Sequence, residues 1–145
     1  MQDFRAYRIE HFLNLADGDK GDMSHVAADI LLPVDGWSWT GKRPAVKFTL
    51  RRNKGVRYVI DFAVADATFR TTGPVAITFL VNGHPLETVR YAKPGPQHYE
   101  KDVPAEWIAL GQENVASAEI DKIWISPDDG AKLGFIVTRI GLTEE

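Results

Sequence analysis

The chain has no cysteine. Disulfides, thiolate metal centres and cysteine nucleophiles are excluded, although the absence assigns no compartment, since cytosolic and secreted proteins alike can lack the residue. It also has no long apolar run. No stretch approaches the roughly 18 residues needed to span a bilayer as a helix, so no membrane insertion is expected and the chain reads as soluble. Asp3, Arg5, Arg8 and Glu10 interrupt the N-terminal segment, where a signal peptide would need an uncharged apolar run of at least about seven residues. Neither charge sign dominates: 17 basic and 20 acidic residues give a net charge of −3. That balance gives no reason to expect a nucleic-acid partner.

Catalytic patterns are also missing. The four histidines are His11, His25, His84 and His98. None forms the His-x-His pair of a cupin-type metal enzyme. Ser38, Ser117 and Ser126 lack the glycine-framed strand-to-helix turn of a hydrolase nucleophile, and Ser24 beside His25 is only a sequence neighbour. Asp61, Glu87, Glu100 and Glu119 carry carboxylates whose pairing a sequence alone cannot reveal. The expectation is a protein that is not an enzyme.

What the chain does contain is alternation. Its 145 residues, 44% hydrophobic and 26% charged, suit a single domain over 1–145 that buries roughly 70% of its unfolded surface. The clearest stretch is 75–91. Val75, Ile77, Phe79 and Val81 alternate with Ala76, Thr78 and Leu80, Asn82-Gly83 supplies a two-residue type I′ turn, and 86–91 returns as the partner strand. An unbroken register then sets Phe79 opposite Leu86 and Ile77 opposite Thr88. Pro85 offers no amide to a third strand, so the returning strand should lie at a sheet edge.

Further strands are expected over 4–13, where a short helix is the competing reading, over 26–32 with Val26, Ala28, Ile30 and Leu32 on one face, and over 46–50 and 58–64. Asn53-Lys54-Gly55 reads as a hairpin turn between the last two. Residues 66–74 read as a loop. Strands follow at 98–103 and 119–126, with a helical turn at 104–107. Ser126 to Gly130 is a turn cluster, and 133–142 is apolar on both faces, as a central strand should be. Trp107, Ile108 and Leu110 should close one end of the core. About nine short strands, no long helix and no internal repeat indicate an all-β sandwich or barrel. Phe48, Leu50, Ile60, Phe62, Ile77, Phe79, Ile123, Phe135 and Val137 should fill its interior.

Several segments resemble one known arrangement: Trp37-Ser38-Trp39-Thr40-Gly41-Lys42-Arg43, the Asn82-Gly83 hairpin, Val103-Pro104-Ala105-Glu106-Trp107, Ile123-Trp124-Ile125-Ser126-Pro127, Leu133-Gly134-Phe135 and Arg139-Ile140-Gly141-Leu142. Together they are similar to the jelly-roll modules appended to many bacterial glycosyltransferases and related surface-polysaccharide proteins, within the galactose-binding-like sandwich group. The resemblance covers roughly 34–142. It implies an antiparallel jelly-roll sandwich and a non-catalytic accessory domain, with glycan as the expected ligand.

Two sets of residues are candidates for binding. Trp37 and Trp39, with Arg43 beside them, could form a platform on which a sugar ring stacks while Arg43 bonds its hydroxyls. Equally, large apolar rings can simply close a sandwich, and Trp107 and Trp124 read that way. Asp17, Asp19 and Asp22 offer oxygens at calcium-loop spacing, and calcium is the one cofactor they would serve. An EF-hand loop counted from Asp17 needs Asp or Asn fifth, Gly sixth and Glu twelfth, where this chain has Gly21, Asp22 and Ala28, so a solvated turn is expected. The other class of function open to the chain is protein contact, with a second copy or with the remainder of a parent protein. It would use the sheet edge near Pro85 or an apolar patch.

Overall fold

A computed structural model describes residues 9–15 and 23–145. Two antiparallel layers face each other. The first is built from β1 (Ile9–Asn14), β4 (Arg57–Val64), β7 (Gly95–Asp102) and β11 (Ile136–Glu144), in the order β1-β11-β4-β7. The second holds β2 (Val26–Ile30), β3 (Ser38–Thr49), β5 (Val75–Val81), β6 (His84–Tyr91) and β8 (Glu113–Ile120), in the order β2-β3-β8-β5-β6. The layers are joined where the start of β3 pairs with β11, Ser38 against Val137 and Trp39 against Ile136. A small ribbon, β9 (Trp124–Ile125) with β10 (Lys132–Leu133), lies outside both. From β3 onward the chain crosses between layers, apart from the β5–β6 hairpin, and strands distant in sequence become neighbours. This is the winding of a jelly roll. Among the described residues no helix is long and apolar enough to cross a membrane.

The alternating residues meet in the interior as expected. Phe48, Leu50, Ile60, Phe62, Ile77, Phe79, Phe135 and Val137 are buried, while Ile123 is only partly so. An aromatic spine runs between the layers, with Phe79 stacked on Tyr99 at 3.9 Å and Phe62 edge-on to Tyr91 and Phe135. Tyr58 is fully buried and donates its hydroxyl to the Ser117 carbonyl at 2.9 Å. Such pairs add to the burial of each ring. β11 is central to its layer, bonded to β1 on one side and β4 on the other.

Several sequence expectations need correction. The described residues hold eleven strands, two of them of only two residues. Asn53-Lys54-Gly55 does not close a hairpin: β3 and β4 lie in different layers, so this turn crosses the sandwich. Residues 66–74 are not all loop, since Asp66–Thr72 forms the helix α1. Asp66 suits the positive helix start. Gly73, at φ +69°, ends the helix by donating its amide to the Phe69 carbonyl. The strand expected over 119–126 is really β8, ending at Ile120, followed by the short β9. Ala116, Ala118 and Ile120 form its inner face, and small alanines made that alternation faint in the sequence. Leu32 leaves the β2 face and is 81% exposed. Leu110 is exposed too, while Ile108 is buried and Trp107 packs against the core.

The central hairpin has its Asn82-Gly83 turn, with Val81 opposite His84 and both turn residues at positive φ. Beyond Pro85 the register departs from the expected one. Leu80 pairs with Pro85, then Phe79 with Glu87 and Ile77 with Val89, so Leu86 is bulged out. One extra residue in one strand shifts every later pair by one. Among the described residues β6 bonds only to β5 and is an edge strand, as Pro85 requires.

Candidate functional site

The tryptophan segment is held from both sides. Asp29 of β2 adopts φ +54°, and its carboxylate lies across Gly41 and accepts the Arg43 amide at 3.0 Å. A Cβ at Gly41 would sit 2.8 Å from the Asp29 Cγ, so any larger residue there would push the Asp29 carboxylate aside. Thr40 is buried and exchanges backbone hydrogen bonds with Gly134 and Phe135. Its hydroxyl accepts the Phe135 amide at 3.1 Å. Gly134 passes so close that a Cβ would approach the Gly41 carbonyl to 2.5 Å. Two segments that carry the family resemblance, Thr40-Gly41 and Gly134-Phe135, are therefore one contact.

This clamp fixes Trp37 and Trp39. Both are half-buried, and their rings meet edge to face at 5.9 Å. Val34 and Trp37 bridge across Asp35-Gly36, both at positive φ, which makes a tight hairpin tip. Arg43 does not join the two rings. Its Nε donates to Glu119 on β8, and its side chain is 71% exposed. The expected grouping of Trp37, Trp39 and Arg43 thus becomes a tryptophan pair and a separate ion pair. Asp17, Asp19 and Asp22, with the calcium reading attached to them, lie outside the described residues.

Register places Trp39 on a wider surface. Trp39 is opposite Ile136, Ile136 opposite Ala63, and Ala63 opposite Pro96. Directly paired residues point to the same face. The next row, Ser38, Val137 and Phe62, is buried, so the row from Trp39 to Pro96 lies on the outer face of the first layer. Trp39 and Ala63 are two strand spacings apart, roughly 10 Å. An open depression of 510 Å³ adjoins the row, lined by Asp61, Phe62, Ala63, Pro96, Gln97, His98 and Thr138.

A charged array borders that depression. Asp61 takes Arg139 Nε on Oδ2 at 2.9 Å and meets His98 Nδ1 through Oδ1. His98 Nε2 lies 3.2 Å from Glu100 Oε1. Arg57 donates to Glu100 at 2.5 Å and to Asp102 at 3.0 Å, and Arg139 lies over the Phe12 ring at 4.7 Å. Asp61, with Glu100 second, pushes the His98 imidazole above its ordinary value. Arg57, with His98 second, holds Glu100 below the usual carboxylate range. A carboxyl held low stays ionised and makes a poor general acid at neutral pH. These shifts are those of an ion-pair network. The remaining carboxylates weighed from the sequence are also engaged: Glu87 accepts from Tyr99 at 2.9 Å and Lys101 at 3.4 Å, and Glu119 pairs with Arg43.

Sequence reasoning missed Asp61, Gln97, His98, Thr138 and Arg139 as a group. Asp61 carried a signal, a lone charge between Val59 and Ala63 on one strand face. Its meeting with His98 depends on the β4–β7 register, which no local pattern shows.

No protein-family model matches the chain, and no curated protein is similar to it in sequence. Solved structures share its chain path. A family 35 carbohydrate-binding module from Clostridium thermocellum is 10% identical, with 95% of this chain and 98% of that one covered at a TM-score of 0.48. A CBM35 from Paenibacillus barcinonensis is 13% identical over 97% of this chain and 100% of that one, at 0.39. Dimeric latent PorU from Porphyromonas gingivalis is 14% identical, covering 96% of this chain and 13% of that one, at 0.45.

Proposed function

We propose that the protein is a non-catalytic module that binds carbohydrate on the outer face of its first layer. The observation that carries this reading is the Trp39–Ile136–Ala63–Pro96 row, fixed in the β-ladder and bordered by polar side chains. Sugar rings present a C–H face to aromatic and apolar surface and hydroxyls to polar groups at its margin. Trp39 supplies the aromatic surface, and Trp37 braces it edge-on. The Gly41 and Gly134 contacts hold the strand rigid, so little ordering entropy is lost on binding. A shallow surface buries only part of a ligand, so single-site affinity is weak.

A glycan array of the wild-type protein and of Trp39→Ala tests the reading. Selective signal from the wild type, weakened about tenfold or more in the variant, is expected for a lost aromatic contact of this size. A silent wild-type array would overturn it.

One observation favours a second reading. Leu31, Leu32 and Val34 at the hairpin tip are 41%, 81% and 48% exposed, and an apolar cluster of this kind suits protein contact. Light scattering that shows concentration-dependent mass, lost in Leu32→Ser, would favour it.

A further inference from the structure

The depression beside Ala63 has its own polar chemistry. At 510 Å³ it is within the range of small-molecule sites, about 300–1,000 Å³. Ala63 and Pro96 give it an apolar floor, while Asp61, His98 and Thr138 bring polar atoms to its margin. Asp61 is fixed three ways: Arg139 holds one carboxylate oxygen, His98 the other, and the Thr138 hydroxyl donates to its backbone carbonyl at 3.0 Å. Each oxygen of an ionised carboxylate accepts two hydrogen bonds. Among the described residues each Asp61 oxygen receives one side-chain donor, which leaves each able to accept a second, from a ligand.

The charges bordering the depression pair with one another, Asp61 with Arg139 and His98, and Glu100 with His98 and Arg57. Among the described residues these pairs leave no single sign of charge at the depression to draw an ion. A neutral ligand with two adjacent hydroxyls and an apolar face suits such a site. Two donors side by side on a preorganised carboxylate also make the strong, charge-assisted kind of hydrogen bond.

We propose that this depression is a sugar subsite, in which the Asp61 carboxylate takes adjacent hydroxyls of a neutral pyranose whose C–H face rests on Ala63 and Pro96. The proposal rests on the carbohydrate reading for its ligand class, but not on Trp39. With Trp39 two strand spacings away, roughly 10 Å, the natural ligand is an oligosaccharide that spans both places.

Amide NMR titrations with methyl β-glucopyranoside, methyl β-galactopyranoside and methyl α-mannopyranoside test the subsite. Saturable shifts at the Ala63, Gln97 and Thr138 amides are expected with at least one glycoside, in the wild type and in Trp39→Ala alike. Asp61→Asn should raise the Kd about tenfold or more, the loss expected for hydrogen bonds to a charged acceptor. Ala63→Leu, which leaves the ion pairs intact and fills the floor, should raise it as well and guards against misfolding in Asp61→Asn. Absence of saturable shifts at these amides with all three glycosides would overturn the proposal, as would wild-type Kd values in both variants. Array binding that needs Trp39 but is unchanged in Asp61→Asn and Ala63→Leu would sink the subsite and leave the carbohydrate reading standing. A silent array would sink that reading itself.

Discussion

Ser38 sits between the two tryptophans with its side chain turned inward. Its hydroxyl is buried and finds no hydrogen-bond partner among the described residues. An unpaired buried hydroxyl costs about 1–3 kcal/mol, so Ser38→Ala should leave the fold as stable or raise it by about 1 kcal/mol. Urea unfolding measures this, and a loss of more than about 1 kcal/mol would mean that the hydroxyl has a partner. His98 gives a pH signature. Its raised pKa means the folded protein holds the proton more tightly. That stabilisation is complete below the ordinary value of 6.5 and fades as pH climbs through the higher folded value. Glu100, lowered from 4.5, loses its share as pH falls through the lower folded value. The array therefore contributes most between about pH 4.5 and 6.5. With His98 49% exposed, screening keeps the effect under about 1 kcal/mol. The urea midpoint should drop between pH 6 and pH 8.5 in the wild type, and drop less in His98→Gln. At this scale the sequence was readable where alternation alone decides, as for Ile60 or Phe79. It was not readable where a partner comes from another strand, and so Arg43 was grouped with tryptophans it does not join.

Elements were legible in proportion to their local signal. The Asn82-Gly83 turn has one, because few residues accept positive φ. Its attachment has none. Asn82 Nδ2 donates to the Trp107 carbonyl and to Asn114 Oδ1, and its own Oδ1 accepts the Val115 amide. Asn114, fully buried, also takes the Ala109 amide at 2.8 Å and donates to the Ala109 and Gln112 carbonyls. These bonds stitch the hairpin to β8 and to the turn at Trp107. Asn114→Ala strands several buried partners and should cost about 2–4 kcal/mol, judged from the cost of each unsatisfied group. A denaturant series in which that variant unfolds within about 0.5 kcal/mol of the wild type would contradict the stitch. The Leu86 bulge and α1 escaped the sequence for related reasons. A bulge answers the partner strand, and a helix of seven residues is too short for periodicity to show.

At the scale of the whole molecule, composition and alternation already indicated an all-β sandwich, because two buried faces leave few other arrangements. Which strands pair was hidden. The turn at 53–55 looked like a hairpin because turn residues between alternating segments look alike whether the chain folds back or crosses to the other layer. That crossing matters to the proposed binding face: it puts β4 beside β11, so that Ala63, Ile136 and Trp39 share one row. A linear sequence with Trp39 and Pro96 far apart offers no hint of it. The most direct measurement follows the four indole N–H signals by NMR while an oligosaccharide selected on the array is added. Trp37 and Trp39 should shift and saturate with the binding curve, while Trp107 and Trp124 stay in place. Saturable binding that leaves the Trp37 and Trp39 signals unmoved would contradict the account.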